Sequence, residues 1–183
     1  MTKSNYKLAV FPDACFLIAL LSRTDKHYRL AQATFDVLNT IPDFVFIVNN
    51  LVIAETISKL ITDKGITATV AAGQLDRLFI NQCTNGVRFL NFGGGPRALV
   101  GLFRKNASKR IVHLQSNDCL NMIDYLQASA TFEISPSNVF FITADKGIAN
   151  TMKNTKERSG IILLQDEVDY KRLLKKAHAL LID

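Results

Sequence analysis

Cysteine and long apolar runs are both scarce in this chain, and each scarcity removes a class of protein. The three cysteines, Cys15, Cys83 and Cys119, are scattered and odd in number, with no C-x-x-C or Cys/His spacing. A disulfide framework and a zinc site are therefore not expected, and a reducing, cytoplasmic compartment is. No run approaches the roughly 20 apolar residues that span a bilayer, so no membrane partner is expected. Lys3 and Lys7 precede an apolar stretch as in a signal peptide, but Pro12-Asp13 interrupts it and Ser22-Arg23 is no small-residue cleavage site. Gly93-Gly94-Gly95-Pro96 reads as a turn, because no Lys-Ser/Thr follows it and no G-x-G-x-x-G stands anywhere in the chain. Nucleotide binding by a phosphate loop is excluded. With no internal repeat and no linker-like segment, residues 1–183 are expected to form one domain.

What is present is a set of short apolar runs bounded by turn residues. Leu8-Ala9-Val10-Phe11 reads as a strand buried on both faces, and Pro12, which cannot donate to a ladder, is expected to end its pairing. Phe44–Val48, Val139–Ile142 and Ile161–Leu164 are runs of the same kind, and Val87–Leu90 is a shorter one. Helices are expected over 14–21, from Thr24-Asp25 to Asn39, from Asn49-Asn50 to about Asp63, over 68–81, 97–105 and 118–132, from Lys146, and over 167–181. Strands alternating with helices predict a parallel sheet covered on both faces, and right-handed crossovers make it doubly wound.

Acids stand where such a fold places ligands. Asp13 and Asp145 directly follow buried strands, and in a parallel sheet both strand ends face one rim. Asp118 stands at a helix start on that rim. Asp124 competes with it, lying about 120° around the helix and about 9 Å along it, so both cannot face one site. Asp118, nearer the rim, is the expected third acid. Glu55 lies by helical angle opposite Ile53, Ile57 and Leu60, where a surface glutamate and a functional one are equally compatible with the spacing. Two unit charges 4 Å apart repel by about 4 kcal/mol at an effective dielectric of 20. A divalent cation removes that cost, and hard oxygen ligands without His or Cys select Mg²⁺ or Mn²⁺. Such an ion orients and activates water and neutralises charge developing on a phosphate, which points to phosphodiester hydrolysis.

Four stretches then resemble, in order, the acidic motifs of PIN-domain nucleases: Val10-Phe11-Pro12-Asp13-Ala14-Cys15, Leu51-Val52-Ile53-Ala54-Glu55, Asn117-Asp118-Cys119-Leu120 and Ile142-Thr143-Ala144-Asp145-Lys146. The likeness runs from about residue 8 to 165. It implies a three-layer α/β/α sandwich with a central, mainly parallel sheet and a Mg²⁺- or Mn²⁺-dependent endonuclease of single-stranded RNA. VapC-type toxins in that family dimerise and are silenced by an antitoxin, which implies an antitoxin protein and a homodimer as partners. By the same resemblance Asp13, Asp118 and Asp145 are metal ligands, Glu55 is a ligand or helps activate the water, and Thr143 is a supporting hydroxyl. The chain departs from the compact toxins in the longer stretch between Glu55 and Asp118, and in having Asn121-Met122-Ile123 where small residues follow the third acid.

Two other readings compete: a catalytically inactive PIN-fold module that binds or scaffolds, and a receiver-type phosphoacceptor domain. The second is disfavoured because Asp13 is a single acid after the first strand. Net charge is +6, with 9 basic and 7 acidic residues in 1–92 against 13 and 9 in 93–183. Arg97, Arg104, Lys105, Lys109 and Arg110 form a segment that could guide an RNA backbone or be plain surface. Lys171, Arg172, Lys175 and Lys176 are expected to form a solvated face of the last helix, and the cysteines to be small core residues.

Overall fold

Alternation along the apolar runs builds two separate cores, one on each side of a sheet. A computed structural model describes residues 6–83, 86–90, 120–126 and 133–182. Its strands are β1 (Leu8–Pro12), β2 (Phe44–Asn49), β3 (Val87–Leu90), β4 (Val139–Thr143) and β5 (Ile161–Leu163), in the order β3-β2-β1-β4-β5, with every pairing parallel. Its helices are α1 (Ala14–Leu21), α2 (Tyr28–Asn39), α3 (Asn50–Thr62), α4 (Ala68–Arg77), α5 (residues 120–126), α6 (Lys146–Thr151) and α7 (Glu167–Ile182). Leu8, Val10, Phe46, Val48, Phe140 and Ile142 face one core, which α1, α2, α4 and α7 cover with Phe16, Leu17, Phe35, Leu38, Leu75 and Leu173. Ala9, Phe11, Val45, Ile47, Phe141 and Ile161 face the other, covered by Met122, Ile123 and Tyr125 of α5, Ile148 of α6 and Met152, which caps that helix at its carboxyl end. The result is the α/β/α sandwich, with β1, β2, β4 and β5 buried on both faces because helices lie on both.

Pro12 is the last residue of β1, as expected, although it still takes a place in the ladder. It stays in register with Ile142 of β4, and the Asp13 N–H donates to the Ile142 carbonyl at 3.0 Å. Successive strand N–H groups point to opposite sides, so the missing donor of Pro12 falls on the β2 side. There the register runs only from Leu8 to Val10. Helix α2 starts at Tyr28 rather than at Thr24-Asp25, since the Asp25 carboxylate accepts from the His27 N–H and holds a turn instead. Helix α4 stops at Arg77 and runs on as a wider turn, Leu78–Gln82. The turn at 93–96, the helix at 97–105 and the basic segment Arg97–Arg110 lie outside the described residues.

The edge strand β5 is closed off by charge. Asp169, 2% exposed, accepts from both guanidinium nitrogens of Arg158 (3.0 and 2.8 Å), from Arg172 Nη2 (2.8 Å) and from the Leu163 N–H (2.9 Å). The same two arginines donate to the Ile161 carbonyl at 2.8 and 2.7 Å. Backbone groups on the open edge of β5 thus find side-chain partners instead of another strand. Arg172 is therefore turned inward, not part of a solvated face; Lys171 fits that expectation, paired with Glu167 in the open. The reason is the buried Asp169 three residues earlier, which outcompetes water for the guanidinium.

Candidate active site

The strand order reverses beside β1. β2 and β3 lie to one side of it and β4 and β5 to the other, so the carboxyl ends of β1 and β4 flank the switch point where open α/β sheets bind ligands. Continuing the registers Val10↔Phe46 and Pro12↔Ile142 to the strand ends brings Asn49, Asp13 and Thr143 into one row. All three belong to the alternation that faces α5 and α6.

Asp13 is 3% exposed and both of its oxygens are engaged. Oδ1 accepts from the Phe16 N–H at 2.7 Å, making Asp13 the N-cap of α1. Oδ2 accepts from the Thr143 hydroxyl. That hydroxyl accepts in turn from the Asp145 N–H at 2.7 Å, and Asp145 Oδ1 caps α6 through the Gly147 N–H at 2.6 Å. The capping role of Asp13 and its place at the switch point therefore coexist in one side chain. A carboxylate offers about four lone-pair sites, so one side chain can serve several donors at once.

Glu55 stands closer to the core than expected. At about 100° per residue, the buried stripe of α3 runs through Val52, Thr56 and Leu60, not through Ile53 and Ile57. Glu55 flanks that stripe with its side chain 20% exposed, 2.7 Å from Lys59 Nζ. Leu60 packs with Ala14 and Ile18 of α1, which sets the roll of the helix. Cys15, half-buried in the first turn of α1, reports the surrounding charge. Burial, reinforced by Asp13, Asp145 and Glu55 and opposed by Lys59, pushes its thiol up to about 12. Cys15 is thus no simple core residue, whereas Cys83 is buried and pushed up to about 12 by burial alone. Cys119 lies outside the described residues.

Asn49 was not singled out from sequence beyond opening a helix, yet it ties the row to two helices. Its Oδ1 accepts from the Val52 N–H at 2.9 Å and caps α3. Its Nδ2 reaches α5, at 3.0 Å from Asp124 Oδ2 and 3.3 Å from Asn121 Oδ1. Burial raises the Asp124 carboxyl above the ordinary aspartate range, with the Asn49 hydrogen bond opposing. Asn121, Met122 and Ile123 are all buried, the last two inside the core under α5, which accounts for their size at this position. Asp118 lies outside the described residues, so of the two competing acids only Asp124 has described contacts. Replacing Asn49 by Ala removes a cap worth about 0.5–2 kcal/mol and strips buried groups of α5 of their donor. Urea unfolding is expected to show a loss of about 2 kcal/mol, against which an effect below about 0.5 kcal/mol would count.

The carboxylates of Asp13, Glu55 and Asp145 are hard oxygen donors, which suit Mg²⁺ or Mn²⁺ in ligand type. Among the described residues, no three His, Cys, Asp or Glu side chains are grouped closely enough to hold a metal. A complete ligand set would need Asp118 or another group from beyond them.

No family model matches the chain, and no curated protein does. Among solved structures, it is similar to Mycobacterium tuberculosis VapC20, a sarcin–ricin loop cleaving toxin, with a TM-score of 0.52 over 81% of this chain and 97% of that one, at 17% identity. The chain has the PIN fold. Asp13 and Asp145 accordingly sit at the carboxyl rim of a PIN-fold sheet. None of the described helices is long and apolar enough to cross a membrane.

Proposed function

We propose that this protein is a Mg²⁺- or Mn²⁺-dependent endoribonuclease that hydrolyses phosphodiester bonds of single-stranded RNA. On this reading it is the cytoplasmic toxin of a toxin–antitoxin pair, forms a homodimer and is silenced by its antitoxin. The observation that carries the proposal is the Thr143 hydroxyl, which donates to Asp13 and accepts from the Asp145 N–H, linking two acids at the switch point of the sheet. The fold shared with an RNA-cleaving toxin supports the choice of substrate.

In this reading Asp13, Asp118 and Asp145 hold the dication, and Glu55 completes the set or takes the proton of the attacking water. The bound ion would supply a polarised water and charge neutralisation at the phosphate. Thr143 fixes the orientation of Asp13, and the capping bonds at Phe16 and Gly147 hold both carboxylates rigid before any ligand arrives. Such preorganisation avoids rearrangement at the moment of reaction.

The test is cleavage of a single-stranded RNA by purified protein freed of any co-purifying inhibitor. Cutting is expected with Mn²⁺ or Mg²⁺, to stop on chelation and to return with added metal. A folded protein that cuts nothing with either metal overturns the proposal. If acid-to-amide substitutions then raise stability even with Mg²⁺ present, the inactive scaffold is the better reading.

A further inference from the structure

Asp13 and Asp145 stand on one rim but are held there by different means. The Asp13 N–H donates to the Ile142 carbonyl at 3.0 Å, so the sheet ladder itself fixes that residue. Asp145 lies two residues past the end of β4, beyond the ladder. Pairing of β4 with β5 closes at the Leu164 N–H, which donates to the Thr143 carbonyl at 2.9 Å. One side chain then continues it: Gln165 Nε2 donates to the Ala144 carbonyl at 3.1 Å. The amide has to present its NH₂ end here, because a carbonyl only accepts.

That carbonyl and the Asp145 N–H belong to one peptide unit. The Thr143 hydroxyl holds its N–H end at 2.7 Å, and Gln165 holds its C=O end. A peptide unit is planar and includes the Cα that follows it. Bonds at both ends therefore fix the Asp145 Cα and the direction in which its carboxylate leaves the backbone. The Gly147 N–H then holds Oδ1 at 2.6 Å. Gln165 adds little stability in this place. Its Oε1 is buried without a partner among the described residues, a cost comparable with the gain from the bond at its other end. We propose that Gln165 is a positioning residue for Asp145, which clamps the Ala144–Asp145 peptide and so keeps the carboxylate in the orientation that cleavage requires. The inference rests on the proposed reading of Asp145 as part of an RNA-cleaving site.

Gln165→Met keeps the length of the side chain and drops the donor, and two measurements separate geometry from chemistry. In amide hydrogen exchange, without RNA or metal, the Asp145 N–H is expected to exchange about tenfold faster. The Phe16 and Val52 N–H groups, held by Asp13 and Asn49, should exchange as in wild type. In RNA cleavage kcat is expected to fall about 10- to 100-fold with KM within about twofold, while the melting temperature moves by less than about 3 °C. In the Asp145→Asn background the further loss in kcat should shrink to less than about twofold. Gln165→Glu keeps the shape but, ionised, cannot donate, and should lose at least as much. Gln74→Met removes the other glutamine with a buried, unpartnered Oε1, on α4 over the opposite core, and should leave kcat unchanged. Wild-type exchange at Asp145 in both Gln165 variants, or wild-type kcat in either, overturns the inference and leaves the nuclease reading standing. A loss in kcat that persists undiminished in Asp145→Asn overturns it too, since Gln165 would then act through another group. If wild type itself cuts no RNA, that reading falls and the inference with it.

Discussion

Asp13→Asn is expected to lower RNA cleavage by about 10³-fold or more in Mg²⁺ or Mn²⁺ while leaving the fold intact. The two halves of that outcome have separate causes. Asparagine caps a helix about as well as aspartate, so the bond to the Phe16 N–H that starts α1 survives. The Thr143 hydroxyl both donates and accepts, and it can rotate to suit an amide as well as a carboxylate. Stability should therefore stay within about 1 kcal/mol of wild type. Only the negative charge is lost, and with it the attraction for a dication. Initial rates on a single-stranded RNA, paired with thermal unfolding of the same sample, check both halves. A variant that cuts at the wild-type rate removes Asp13 from the chemistry; one that unfolds shows that the fold itself depends on the Asp13 charge.

Asp169→Ala carries the largest expected loss of stability, about 3–5 kcal/mol, because removing one partner of a buried ion pair leaves the others uncompensated. Arg158 and Arg172 would lose their shared carboxylate, and the Leu163 N–H would lose its acceptor on the open edge of β5. For a chain of this size the melting temperature should fall by about 10 °C. Asp169→Asn separates charge from shape, since it can still accept from Leu163. A drop in Asp169→Ala below about 1 kcal/mol, measured in urea, would mean that water replaces the carboxylate at little cost.

Much of the fold was legible along the chain because burial on both faces leaves a direct signature. Runs such as Leu8–Phe11 and Val139–Ile142 cannot sit half in water, and helices between them leave only a parallel sheet. Local chemistry likewise put Asp13 and Asp145 at strand ends. The roll of α3 was not legible. Ile53, Ile57 and Leu60 suggest one buried face, but Leu60 packs with Ala14 and Ile18 of α1, Val52 and Thr56 are buried, and the two isoleucines are only partly so. Glu55 is thereby carried from the far side of the helix to the flank of its buried stripe. The inward turn of Arg172 was hidden for a similar reason, since its partners on β5 belong to another element.

By itself, the sequence determined which segments are buried, that their strands run parallel, and that Asp13 and Asp145 end on one rim. These follow from side-chain period and from the geometry of crossovers, which are properties of neighbouring residues. Only the tertiary structure decided that β4 lies against β1, that Thr143 joins the two acids, and that Asn49 reaches Asp124 across 75 positions. Strand order and helix roll are set by packing between elements remote in the chain, where no local pattern records the partner.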